Sequence, residues 1–398
     1  MAAKATKRYM GRLPTIRAPG NPVDTQDGKL LAQCSRTHFN HRRTHMPLMI
    51  DNRIAEEALT MNDAIGAMES ALKQLAEGDA VYQPRTDLWS PTATVGDYFR
   101  WGSLLGAIKD PPVLAFRFKL DIMTWQEYNG AVTEHWFNVE PGKYCGIILL
   151  VDTRTGELLC IMNDGYLQSY RVGATAGVGV KHLSRTDSKV MGVLGSGAMA
   201  RTYAMATCAV RPIEHIKIFS PTQANREAYA NKMSEVLQIK VTAVNSAREA
   251  MSGVDIGATC TDSRIPLFQA DWLQTGMHVV DVRPEELESE IYEKADVMIG
   301  TSNLAVLNYA LGTQEERDRR PIDDNYMRRY TNRNHTTLSE VLTGEKPGRE
   351  DDAQTTVHHN FSAGIQFAAV GYLVYRYAKE NGLGHELPLE WFQQDIRN

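Results

Sequence analysis

The chain has 398 residues, enough for two domains with separate cores, and its 43% hydrophobic and 23% charged residues are ordinary for a soluble globular protein. A net charge of −5 argues against nucleic acid or an anionic membrane as a partner, and no run approaches the roughly 20 apolar residues of a spanning helix. Five cysteines (Cys34, Cys145, Cys160, Cys208, Cys260) without close pairing, and no metal-type His or Cys spacing, predict reduced thiols, no metal and a cytoplasmic protein.

Residues 1–45 are polar and basic with little periodicity and read as an arm, while the opening Met-Ala-Ala-Lys segment lacks the apolar stretch of a secretory leader. A helix is predicted from Thr60, with Asp63 in its first turn, Ile65, Met68, Leu72 and Leu75 as its apolar stripe, and Gly78 as its stop. Val113–Leu120 alternates as a strand with Arg117 and Lys119 on one face, and residues 146–162 read as a β-hairpin turning at Asp152-Thr-Arg-Thr-Gly156. Strands at 190–194, 215–219, 239–243, 254–259, 277–282 and 295–300 alternate with helices, the pattern of a doubly wound parallel sheet. Residues 311–335 are charged and irregular. A long helix then runs from Phe361 to Lys379 and is expected to pack back on the first domain.

The strand Val190–Leu194 runs straight into Gly195-Ser-Gly197-Ala-Met-Ala200, a Gly-x-Gly-x-x-Ala turn followed by a helix and a second apolar strand. In that context Gly195 permits the tight turn, Gly197 lets the backbone approach a pyrophosphate, and Ala200 lets the helix pack on its strand. Gly195, Gly197, Ala198 and Met199 are therefore candidate dinucleotide contacts. An NAD enzyme usually carries Asp or Glu after the second strand, but here Phe219-Ser220-Pro-Thr222 is followed by Arg226. Ser220, Thr222 and Arg226 suit a 2′-phosphate, so NADP(H) is favoured, with NAD(H) the alternative.

From Pro84-Arg85 through the Lys119 strand, Tyr170-Arg171-Val-Gly-Ala-Thr-Ala176, Ala258-Thr-Cys-Thr-Asp-Ser263, Gly276-Met-His-Val-Val280 and Phe361-Ser-Ala-Gly364, the chain resembles the ornithine cyclodeaminase/mu-crystallin family over roughly residues 46–385. The resemblance implies a Rossmann-type sheet inserted into a second α+β substrate-binding and dimerisation domain. The arm would be 1–45, the substrate domain 46–168 with 336–398, and the dinucleotide domain 169–335. It also implies a homodimer and a small amino or imino acid substrate. Arg85, Lys119 and Arg171 match residues that hold the substrate carboxylate, Lys119 with a second role toward the imine nitrogen, and Asp262 matches an acid beside the substrate amine. Thr261 and Ser362 join the cofactor contacts, Ser362 at the nicotinamide end.

The implied activity is an NAD(P)H-dependent oxidoreductase acting on the C=N or CH–NH bond of such an acid. Alternatives are a cyclodeaminase that releases ammonia with internal cofactor recycling, and a non-catalytic nucleotide-binding accessory protein. The family's cyclodeaminases place a glutamate eleven residues beyond the position of Arg85, which is Gly96 here. The segment after Lys119 is also longer and aromatic (Trp125, Tyr128, Trp136, Phe137), as for an enlarged substrate pocket. Both departures argue against ornithine itself.

Overall fold

The structure, a computed structural model, describes residues 46–128, 130–302, 306–319 and 336–396. The expected arm at 1–45 and most of the charged segment 311–335 lie outside these residues. Within that segment Gln314–Asp318 is a short helix capped by Thr313. Among the described residues no helix is long and apolar enough to cross a membrane.

All six strands predicted between 190 and 300 form, with ends within two residues of expectation. They join Thr356–His359 and Thr336–Thr337 in an eight-stranded parallel sheet. Its order reverses between Val190–Leu194 and Ile256–Thr259, so the crevice beyond their carboxyl ends is where open α/β sheets take ligands.

The second sheet has ten strands and is mostly antiparallel. In spatial order its main path runs Val306–Ala310, Arg85–Pro91, Tyr98–Ile108, Val113–Tyr128, Gly146–Asp152, Leu158–Asn163, Leu48–Ile50 and His385–Glu386. Ala131–Phe137 pairs with the far half of Val113–Tyr128, which runs eight residues past its predicted end.

Sheet membership corrects the expected domain boundaries. Strands 336–337 and 356–359, expected in the substrate domain, belong to the parallel sheet, whereas 306–310, expected in the dinucleotide domain, pairs with Arg85–Pro91. Thr356–His359 is fully buried between His278–Asp281 and Val297–Gly300. Pairing so distant in sequence leaves no local signature.

Three long helices build the core behind the ten-stranded sheet. Met61–Glu77 starts as predicted, with the Thr60 side chain accepting from the Asp63 amide, and stops at Gly78 in the left-handed region (φ 80°). Gly364–Glu380 begins three residues later than expected, because Phe361–Ala363 is non-helical and carries Ser362 past the sheet. Its first turn lies so close to the sheet that a Cβ on Gly364 would sit 2.0 Å from the Leu105 carbonyl carbon.

Gly165–Leu183 is buried on nearly every side. Tyr170, Ala174 and Val178 face the core of the ten-stranded sheet, while Val172, Ala176 and Val180 face that of the parallel sheet. A helix apolar all round is one enclosed by protein, and this one joins the two cores.

Candidate active site

Strand alternation builds the site. Successive side chains point to opposite faces, and residues paired across strands share a face. The register therefore puts Arg85, Asp87 and Trp89 on the same face as Arg100 and Leu104. Arg117, Lys119, Asp121 and Trp125 share that face, as do Glu134 and Trp136 on the neighbouring strand. With residues from the parallel sheet's crevice, among them Met199, Thr261, Arg283, Phe361 and Ser362, all of these but Asp121 line a cavity of about 850 Å³.

The cavity is crowded with charge, and nearly all of it is paired. Arg100 bonds Asp121 at 2.8 Å and Glu134 at 3.4 Å, and Lys119 reaches Asp121 at 2.5 Å. Arg85 bonds Asp87 at 2.9 Å, Arg117 bonds Asp164 at 2.6 Å, and Tyr144 donates to the same Asp164 oxygen at 2.7 Å. Glu134 also accepts from Arg283 at 2.7 Å and lies 3.6 Å from Arg264, which bonds Glu285 at 3.0 Å. Burial pushes the Glu134 carboxyl up, but Arg283, Arg100 and Arg264 outweigh it and hold the group ionised.

Arg171 differs. It is 3% exposed, donates to Gln168 Oε1, Ser362 Oγ and Gln366 Oε1, and makes no ion pair with any described residue. Desolvation first, then the nearby Arg117, lowers it to about 9. Lys119 is pushed down to about 7 by burial and by Arg100, against the pull of Asp121, with Arg85 and Arg117 adding to the depression. A buried guanidinium lacking a carboxylate, beside an ammonium poised near neutrality, is a ready receptor for a carboxylate next to a basic nitrogen.

At the crevice Gly195 adopts φ 104°, and a Cβ there would lie 2.3 Å from the Cys260 carbonyl oxygen. Gly197 caps the helix Ala198–Val210, and a Cβ on it would meet nothing within 4 Å. The protein alone does not require that glycine; an anion seated against the helix N-terminus does, so the turn fits a dinucleotide pyrophosphate. Met199 and Thr261 line the cavity, and the Thr261 amide and hydroxyl both donate to buried Glu286.

Beyond the second strand, Ser196 donates to Ser220 at 3.1 Å, and Thr222 shares a 2.7 Å hydrogen bond with Tyr128. Arg226 donates to the carbonyls of Ser220 and Pro221 and to Asn245, with no carboxylate partner among the described residues. No three His, Cys, Asp or Glu side chains among the described residues are grouped to hold a metal.

Of the predicted site residues, Arg85, Lys119, Arg171, Met199, Thr261 and Ser362 meet at the cavity. Asp262 does not line it. Its carbonyl accepts from the Glu134 amide, and the loop it stands on turns Thr261 and Arg264 inward instead. The acid near Lys119 is Asp121, two residues along the same strand, and was readable from alternation alone. Arg100 and Glu134 were not readable in this way, because their meeting depends on register between strands, and Arg283 reaches Glu134 from the loop after His278–Asp281 in the other sheet. Gly96 sits on an exposed loop, so no carboxylate enters the cavity from that position.

The sequence model of the ornithine cyclodeaminase/mu-crystallin family matches residues 128–382. The chain belongs to that family. Among similar proteins, the Delta(1)-pyrroline-2-carboxylate reductase of Bacillus cereus is 33% identical over 247 residues, 61% of this chain and 74% of that protein. The alanine dehydrogenase of Archaeoglobus fulgidus is 26% identical over 362 residues, 85% of this chain and 98% of the other. Among solved structures, Thermococcus litoralis Delta(1)-pyrroline-2-carboxylate reductase in complex with NADH and L-proline superposes with a TM-score of 0.69 at 27% identity, covering 85% of this chain and all of that one.

Proposed function

We propose that the protein is an NAD(P)H-dependent oxidoreductase that reduces the C=N bond of an imino acid to the corresponding amino acid. The observation that carries this reading is Arg171, a buried guanidinium without a carboxylate partner, facing the same cavity as Lys119. Arg171 holds the substrate carboxylate and Ser362 steadies the guanidinium. Lys119 Nζ keeps a proton for the imine nitrogen, and Asp121 fixes the ammonium in place. The reduced dinucleotide, when bound, supplies two electrons and a proton as hydride to the imine carbon and leaves oxidised. Its relatives' names, pyrroline-2-carboxylate reductase and alanine dehydrogenase, support the same reaction class.

NADP(H) is the favoured cofactor, supported by Arg226 beside Ser220 and Thr222 and by the lack of an acid there. A homodimer is supported by the other face of the ten-stranded sheet, where Trp101, Phe116, Phe118 and Ile147 remain half-exposed. A cytoplasmic location is proposed with this activity, since the cytoplasm holds a reduced nicotinamide pool.

The test is consumption of NADPH and of NADH by purified protein with a panel of ketimines, both cyclic and formed from 2-oxo acids with methylamine. Rapid oxidation with one class supports the reading. No oxidation with any imine, despite measurable dinucleotide binding, overturns it.

A further inference from the structure

Resting on the imino-acid reading above, we infer that the substrate carries a large, flat, uncharged side chain, of the size of a benzyl group, seated against Trp125 and Trp136. Trp89 stacks behind Trp125 with ring centres 6.5 Å apart and an interplanar angle of 26°, and Tyr98 meets Trp125 edge-on at 6.0 Å. Two rings thus fix the Trp125 indole, which still faces the cavity and remains half-exposed. Trp136 is 39% exposed on the same face, two residues from Glu134. A fixed indole left open to a cavity is a surface that a flat apolar group covers well, and Trp136, with Lys119 and Arg283 at 5.7 and 5.8 Å from its ring centre, adds its exposed part.

The charge pattern specifies the rest. Around the indoles each described cation has an acid within reach: Arg100 with Asp121 and Glu134, Lys119 with Asp121, Arg264 with Glu285, Arg283 with Glu134. A second substrate carboxylate would find no unpaired cation there among the described residues. Glu134 in turn is held by guanidinium groups, so a distal ammonium would have to displace one of them. What the wall has to offer is neutral aromatic surface. The volume of about 850 Å³ holds the nicotinamide end of the cofactor, toward Met199, Thr261 and Ser362, together with the substrate, and the indoles stand on the wall across from those residues' sheet.

The experiment compares imines formed by methylamine with pyruvate, phenylpyruvate and 2-oxoglutarate. Alongside it, calorimetry on the NADP⁺-bound enzyme measures binding of N-methyl-L-phenylalanine and N-methyl-L-alanine. The phenylpyruvate imine is expected to show kcat/KM about tenfold or more above the pyruvate imine, and Trp125→Ala and Trp136→Ala each to collapse that ratio. Trp136, being exposed, carries the test if Trp125→Ala fails to fold. Equal or better use of the pyruvate or 2-oxoglutarate imine, or a ratio unmoved in the variants, overturns the inference and leaves the reductase reading standing. Preferential binding of the phenyl ligand without turnover of any imine supports the inference and removes the reductase reading. Neither turnover nor preference removes both.

Discussion

The guanidinium of Arg171 lies 4.8 Å from the centre of the Phe367 ring, and Arg117 approaches the same ring at 5.2 Å. Phe367 is fully buried on the helix Gly364–Glu380, so its π-face is a fixed, partly negative surface beneath two cations. Only one of the two has a carboxylate, since Asp164 bonds Arg117. Among the described residues Arg171 has the ring, three neutral acceptors and only the through-space pull of Asp164, without a carboxylate bonded to it, before substrate arrives.

Arg171→Met should therefore separate stability from function. Removing a buried charge without an ionic partner relieves its desolvation, so Tm should hold or rise. Loss of the carboxylate anchor should lower kcat/KM by about a hundredfold or more while dinucleotide affinity stays near its starting value. Melting curves with steady-state kinetics check this, and unchanged kinetics would remove Arg171 from the site.

Lys119 sets the pH dependence. Its ammonium is pushed down to about 7, first by burial and then by Arg100. Reduction uses the protonated form, so kcat/KM should be flat below about pH 7 and fall about tenfold per unit above it, while amine oxidation should rise over the same range. Arg100→Gln, which removes the cation that depresses Lys119 most, should move the limb to higher pH. A profile that ignores both Arg100→Gln and Lys119→Arg would assign the proton to another group.

Gly197→Val probes the cofactor site without disturbing the fold. The residue has ordinary backbone angles and open space around a built Cβ, so Tm should not change. Dinucleotide Kd, read by fluorescence titration, should rise about tenfold or more because the new methyls stand where the pyrophosphate approaches. Undiminished affinity would contradict that placement.

Glu69 ties two core helices together by bonding Lys181 at 2.7 Å, with Lys73 and His182 nearby. Burial raises its carboxyl, yet these cations prevail and hold it at about 2, below its unfolded value. The stabilisation is therefore present above pH 4.5 and is lost as pH falls toward 2. Glu69→Gln should cost about 1 kcal/mol near neutrality, with the gap in urea midpoint closing as the medium is acidified. A gap independent of pH would mean that the pair contributes nothing ionic.

The parallel strands were legible because they are short, mostly apolar runs between helix signals, as in Val190–Leu194 and His215–Phe219. So was the shared face of Arg117 and Lys119, since alternation is local. Thr356–His359 was not legible, because two histidines and a threonine look polar until Thr301 and Asp281 are found beside His358 and His359. Glu134 escaped for a related reason: its strand pairs Glu134 with Trp125, and only that register brings it to Arg100. Contacts within one strand are written in the sequence, while contacts between strands are written in the register.

The ribbon formed by Val113–Tyr128 and Ala131–Phe137 is fastened at both ends of the crevice. Near its tip Tyr128 holds Thr222, and lower down the Arg264 amide donates to the Val132 carbonyl and the Glu134 amide to that of Asp262. Pulling the two sheets apart like jaws would break those backbone bonds and the Glu134–Arg283 pair together. A molecule stitched in this way trades substrate and product past a fixed rim rather than by yawning open. Substrate and product then have to pass that rim without a swing of the two halves.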